Sequence, residues 1–257
     1  MSFDVSGDAY DRFMGRYSQE LALVFADFAG IEHGLTVLDA GCGSGVLTEE
    51  LARRLGAEHV AAVDPSPLVE ACAARVPGAD VRRGAAEALP WPDDSFDAVL
   101  AQLVFNFLDD PERGAAEMRR VAREGGVVAA VVWDYRGEMT MLATFWEAAA
   151  AVDERGAAAV DERTSMRFGE RGELADLWRD AGLGGVRDGE IVVSASYEDF
   201  DDLWKPFLGG VGPAGGFAAS LEPEAQAALR EEYRERLGSP DGPFDLSARA
   251  WYAIGRK

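Results

Sequence analysis

Cysteine, histidine and cationic side chains are all scarce in this chain of 257 residues. Two cysteines, Cys42 and Cys72, are too few for a disulfide framework. With only His33 and His59 beside them they offer no zinc-ligand set, so no metal is expected. Long apolar runs are missing too. The longest clear one, Val127 to Trp133, falls far short of the roughly 20 residues of a membrane span. The opening MSFDVSGDAYDRF lacks the basic start and apolar centre of a secretory signal. Lys and Arg number 25 against 46 Asp and Glu, a formal charge of −21. That field disfavours nucleic acid and anionic membranes, which need a basic stripe. A neutral or cationic small molecule is the easier partner, and the scarcity of cysteine suits a reducing, cytoplasmic setting. Apolar residues make up 48%, enough for one large core, and a monomer or homodimer is expected.

What is present is a rhythm of short apolar strands and amphipathic helices. Apolar residues from Tyr10 to Phe28 follow helical spacing, with Gly15 dividing a short helix from a longer one capped by Ser18 and closed by Gly30. Strands follow at Leu35–Leu38, His59–Val63, from Val81, at Phe96–Leu103 and at Val127–Trp133, with helices between them. This alternation predicts right-handed crossovers and a parallel sheet. Beyond Trp133 come two helices and a strand over Glu190–Tyr197. A final strand near Leu246–Ile254, apolar on both faces, should lie inside the sheet. Between these two strands lies an insertion whose Gly-rich stretch, Gly209 to Gly216, reads as a lid or a flexible loop.

The segment with chemistry in it is Val37-Leu38-Asp39-Ala40-Gly41-Cys42-Gly43-Ser44-Gly45, a strand running through glycines into a helix. Such a turn lets backbone approach a ligand, and the helix start offers free N–H groups. The nicotinamide fingerprint fails, because its third glycine would fall at Val46. Asp64, closing the second strand about twenty residues on, is placed to grip ribose hydroxyls or to cap the next helix.

Together with Glu87-Ala88-Leu89-Pro90 and Ser95-Phe96-Asp97, these residues resemble a class I S-adenosylmethionine-dependent methyltransferase, methyltransferase type 11-like, of the bacterial small-molecule kind. The Tyr10–Arg16 stretch is similar to the opening of those enzymes. The resemblance implies a Rossmann-like α/β fold: a seven-stranded, mostly parallel sheet with helices on both faces and the last strand antiparallel. It also implies an N-terminal helical cap (1–34), a cofactor core (35–135), helices and strand six (136–197), a lid-like insertion (198–243) and the final strand (244–257). S-adenosylmethionine would lie on Gly41, Gly43 and Gly45, with Asp39 orienting its amino group and Asp64-Pro65 at the ribose. Leu68 and the Ala86 backbone would flank the adenine. Ala85 stands where relatives usually carry an Asp for the adenine amino group, so Glu87 or a water would substitute. Gln102 would face the sulfonium, and Arg16 either pairs with the methionine carboxylate or is simply solvated.

Methyl transfer from a sulfonium is an in-line displacement that needs alignment more than acid–base help. Asp134 is the candidate base or a loop cap, beside Gln102 and Asn106. Trp133, Tyr135, Met139, Phe145, Trp146, Trp204, Phe207 and Phe217 are the candidate walls of a pocket for an apolar or aromatic acceptor, although core packing must claim several. S-adenosylhomocysteine would be the product. A protein of this fold that binds cofactor without transfer, and more remotely a nicotinamide oxidoreductase, are the competing readings.

Overall fold

The computed structural model describes residues 11–257. Tyr10, expected on the N-terminal cap, lies outside them. Seven strands form one sheet: β1 (Val37–Ala40), β2 (Val60–Asp64), β3 (Asp80–Arg83), β4 (Phe96–Gln102), β5 (Ala122–Trp133), β6 (Gly184–Tyr197) and β7 (Phe244–Arg256). Their order is β3-β2-β1-β4-β5-β7-β6. The first five pair in parallel, and β7 runs antiparallel to both β5 and β6. The expected mixed sheet with one reversed, interior final strand is therefore present. β1, β4 and most of β5 are apolar because both faces are covered.

One face carries α1 (Arg16–Phe28), α2 (Val46–Leu55) and α3 (Leu68–Arg75); the other carries α4 (Pro111–Val121) and α8 (Glu173–Asp180). The additions are α5 (Thr140–Val152), α6 (Glu154–Val160) and α7 (Glu162–Ser165), followed in the insertion by α9 (Phe200–Trp204), α10 (Gly212–Ser220) and α11 (Pro223–Arg236). Their apolar faces join the core over α1.

Two local expectations change. Ser18 does not cap a helix: a π-helical turn over Asp11–Gly15 leads straight into α1, leaving Ser18 in its interior. The Gly-rich run is not a loose lid either, since most of it is the start of α10. A Cβ on Gly215 would come within 3.0 Å of the Phe207 carbonyl and the Gly210 backbone. That glycine serves close packing of two turns, which explains a composition that resembles a hinge.

Candidate functional site

The order reverses between β1 and β4, and a crevice opens at the carboxyl ends of strands there. Gly41 takes φ +87°, and a Cβ on it would lie 2.4 Å from the Val104 side chain; Gly45 takes φ +91° with Cys72 filling the same space. Gly43, at φ +51°, has nothing within 4 Å of a Cβ position, so its backbone stands open. The turn is tied to β2, whose Val63 carbonyl accepts from the N–H groups of Gly41 and Cys42 at 2.8 and 2.9 Å.

Asp64 completes that tie. Its Oδ2 accepts from the Gly43 N–H at 2.9 Å, and its Oδ1 from the N–H and hydroxyl of Ser66 at 2.8 and 2.5 Å. Pro67, not Asp64, caps α3, which removes the capping alternative. Oδ2 keeps a lone pair for a further donor, and a second one at Oδ1 requires the Ser66 hydroxyl to turn away.

Asp39, 1% exposed, accepts from the Thr48 hydroxyl through Oδ2 at 2.6 Å, while Oδ1 has no partner among the described residues. Burial pushes its carboxyl up to about 7, against the Thr48 bond and with help from the Asp64 charge. The Cys72 thiol and burial hold the Cys42 thiol well above its ordinary value, which disfavours a thiolate in the turn. At the tip of β4, Gln102 Nε2 donates to the Ser18 carbonyl at 3.1 Å, and its Oε1 and the Ser18 hydroxyl are both buried without partners among the described residues. These groups surround a cavity of about 570 Å³ whose wall, among the described residues, carries three carboxylates, Asp39, Asp64 and Glu87, and no cationic side chain.

Residues 38–130 match the family model for the methyltransferase domain. That segment is similar to a methyltransferase domain. It is 29% identical to the malonyl-[acyl-carrier protein] O-methyltransferase of Halorhodospira halophila, over 94% of this chain and 81% of that one. It is 35% identical to a chloroplastic 2-methyl-6-phytyl-1,4-hydroquinone methyltransferase of rice, over 38% of this chain and 31% of that one. The first curated relatives are matched over only 31% to 54% of their own length. A solved methyltransferase from an antibiotic biosynthesis pathway of Anabaena variabilis superposes with a TM-score of 0.63 at 20% identity, covering 91% of this chain and 96% of that one; this likeness shows the fold.

Within the matched segment, Asp39, Gly41, Gly43, Asp64, Pro65, Leu68, Ala86, Glu87 and Gln102 all line the one cavity, with Gly45 packed just behind it on Cys72. Arg16 does not reach it. Its guanidinium is bidentate with Asp202 at 2.6 and 2.7 Å, donates to the Ser196 carbonyl and lies over the Tyr197 ring. Arg16 therefore joins α1 to α9 and has no reach toward a cofactor carboxylate.

Asp134 is also elsewhere. Its oxygens accept from the N–H groups of Gly137 and Glu138 and from two Arg249 nitrogens at 2.8 and 3.0 Å. A carboxylate so occupied orders the loop after β5 and is not a base over the cavity. Asn106 sits in a short turn beyond β4, donating to the Arg167 carbonyl.

Nor do Trp133, Tyr135, Met139, Trp146, Trp204, Phe207 and Phe217 line this cavity. All are buried in the closed core of the additions together with Phe145. Phe145 stacks on Phe207 at 4.5 Å, and Trp204 packs on Phe200, Phe207 and Tyr233. Helices added to one sheet face need their own core, and these rings supply it. The cavity's apolar wall is instead Leu103, Val104, Phe107 and Leu108, just past β4. Sequence reading passed over them and over Ser18. The available signal was the apolar stretch from Leu103 to Leu108 following Gln102, interrupted only by Asn106.

Proposed function

We propose that this chain transfers the methyl group of S-adenosylmethionine to a small acceptor in the cytoplasm and releases S-adenosylhomocysteine. The observation that carries this reading is the pair of carboxylates at neighbouring strand ends across an open glycine turn, one with an unpartnered buried oxygen. The residues fit the group. Asp39 Oδ1 is an acceptor awaiting a donor, and an ammonium fits it best. Asp64 would take ribose hydroxyls, and Leu68, Ala86 and Glu87 would flank the adenine. With Ala85 in the chain, Glu87 is, among the described residues, the carboxylate on that side of the cavity wall that could take the adenine amino group.

When bound, the cofactor supplies the activated methyl; the chain's own residues bind it, align it and exclude water. The acceptor would meet it over Leu103, Val104, Phe107 and Leu108, an apolar surface suited to a small apolar or aromatic metabolite. The rice relative's named substrate, a phytyl hydroquinone, is consistent with a small reacting group on a larger apolar body. Binding without transfer is the second reading, favoured by the closure of the aromatic region once expected to receive the acceptor. Calorimetry with S-adenosylhomocysteine, followed by a tritiated-methyl transfer assay on a small-molecule extract, tests both. Tight binding with label incorporation is expected; a folded chain that binds neither cofactor form ends the proposal.

A further inference from the structure

We infer that the acceptor presents a neutral or cationic N–H or O–H group, held by Gln102 Oε1 and the Ser18 hydroxyl, and that a carboxylate acceptor is excluded. This rests on the methyl-transfer reading above and narrows it.

The argument begins with the Gln102 amide. Its nitrogen faces the Ser18 carbonyl at 3.1 Å. A carbonyl only accepts, so turning the amide over would set two oxygens against each other. The orientation is therefore fixed by chemistry, and Oε1 is the atom left over, buried and unpartnered among the described residues. Ser18, 2% exposed, adds a hydroxyl in the same condition from α1, where Arg16 and its Asp202 anchor hold the helix down. Both residues line the cavity, at the end of the strand that faces the open glycine turn. Buried polar atoms left unpaired cost stability, so two of them together on a cavity wall point to a ligand that pairs them. Oε1 needs a donor hydrogen, which an alcohol, a phenol or an amine has and a carboxylate lacks. The Ser18 hydroxyl both gives and accepts, so it suits the same group's lone pair or hydrogen.

Charge agrees with hydrogen bonding. Among the described residues the wall carries Asp39, Asp64 and Glu87 and no Arg, Lys or His, so none of them offers a cation to hold a carboxylate acceptor. This sets the chain apart from the Halorhodospira relative, whose name specifies a malonyl group, although that relative matches along most of both chains. In the transfer, the acceptor's lone pair forms the bond to the methyl carbon. The carbon–sulfur bond breaks with its electron pair going to sulfur, which becomes a neutral thioether, and the acceptor's proton passes to water.

The test uses the full chain with tritiated-methyl S-adenosylmethionine and a small-molecule extract, the labelled product being located by mass spectrometry and NMR. The methyl is expected on oxygen or nitrogen, and mild base should leave the label in place. A methyl ester, which mild base cleaves to labelled methanol, overturns the inference, as does a methyl on carbon. Two variants sharpen it. Gln102→Leu should lower incorporation at limiting extract at least tenfold and Ser18→Ala about threefold, both measured at saturating S-adenosylmethionine. Unchanged incorporation in both overturns the holding role. Calorimetry on the same preparation separates the failures: no S-adenosylhomocysteine binding removes the cofactor reading itself, and binding without any incorporation removes the transfer.

Discussion

The cavity at the ends of β1, β2 and β4 and the aromatic core beneath α5, α9 and α11 treat their conspicuous side chains in opposite ways. Around the cavity, glycines adopt left-handed backbone, and Asp39, Gln102 and Ser18 keep buried polar atoms unpaired. In the aromatic region most polar groups are matched, the Trp133 indole N–H being an exception. The Tyr233 hydroxyl donates to the Met141 carbonyl, Trp146 Nε1 donates to Glu162, and ring stacks on ring. The first region carries costs that a bound ligand would remove, while the second has already used its interactions on itself. Unmet demand separates a site from a core more sharply than aromatic content does.

The largest expected effect falls on the satisfied side. Phe207→Ala, at a fully buried ring touching Phe13, Phe145, Trp204 and Tyr233, should cost about 3–5 kcal/mol of stability in urea titrations. The molecules still folded should bind S-adenosylhomocysteine as before; selective loss of binding would move the site into that core.

Asp64→Ala reverses the pattern, weakening S-adenosylhomocysteine by about 2–4 kcal/mol in calorimetry while shifting the thermal midpoint little. A lower midpoint with intact binding would make Asp64 only a brace for the glycine turn.

Asp39→Asn probes the unmet oxygen through pH. The folded-state pKa of about 7 lies above the unfolded value. The native chain thus keeps a proton that the unfolded chain loses between about 4 and 7, and stability falls as pH rises through that window. The variant should match the parent below about pH 4 and exceed it by about 1–3 kcal/mol at pH 8, the full shift being discounted for relaxation. A constant difference across pH would mean Asp39 is not buried as a neutral acid.

The smallest effect is assigned to Asp134→Ala. It removes acceptors for two loop N–H groups and an Arg249 partner, costing about 1–2 kcal/mol of stability, with transfer per folded molecule unchanged. Glu138 and Glu190 remain to Arg249, which limits the loss. A large drop in transfer rate would restore Asp134 as a base.

The strands of the sheet were legible because apolar runs such as Val127–Trp133 mark strands covered on both faces. Their ends were less so. β5 begins at Ala122 and β6 at Gly184, through polar residues that pair by backbone and leave no apolar trace. The cofactor turn was legible because glycines at left-handed positions and a carboxylate at the next strand end are dictated by backbone geometry. The acceptor side was not. A buried ring in a core and a ring on a pocket wall look alike in sequence, so Trp204 and Phe207 read as a lid. Ser18 read as a cap, since a serine before an apolar run signals a helix start and nothing in the chain announces the π-helical turn ahead of it.

The central claim is that the glycine turn with Asp39 and Asp64 holds S-adenosylmethionine or its product. Isothermal titration of the full chain with S-adenosylhomocysteine, run in two buffers of different ionisation enthalpy near pH 7, tests it most directly. One equivalent should bind, with proton release as Asp39 ionises against the ligand's ammonium, and Asp39→Asn should abolish that release. No heat of binding from a chain that melts cooperatively would contradict the account.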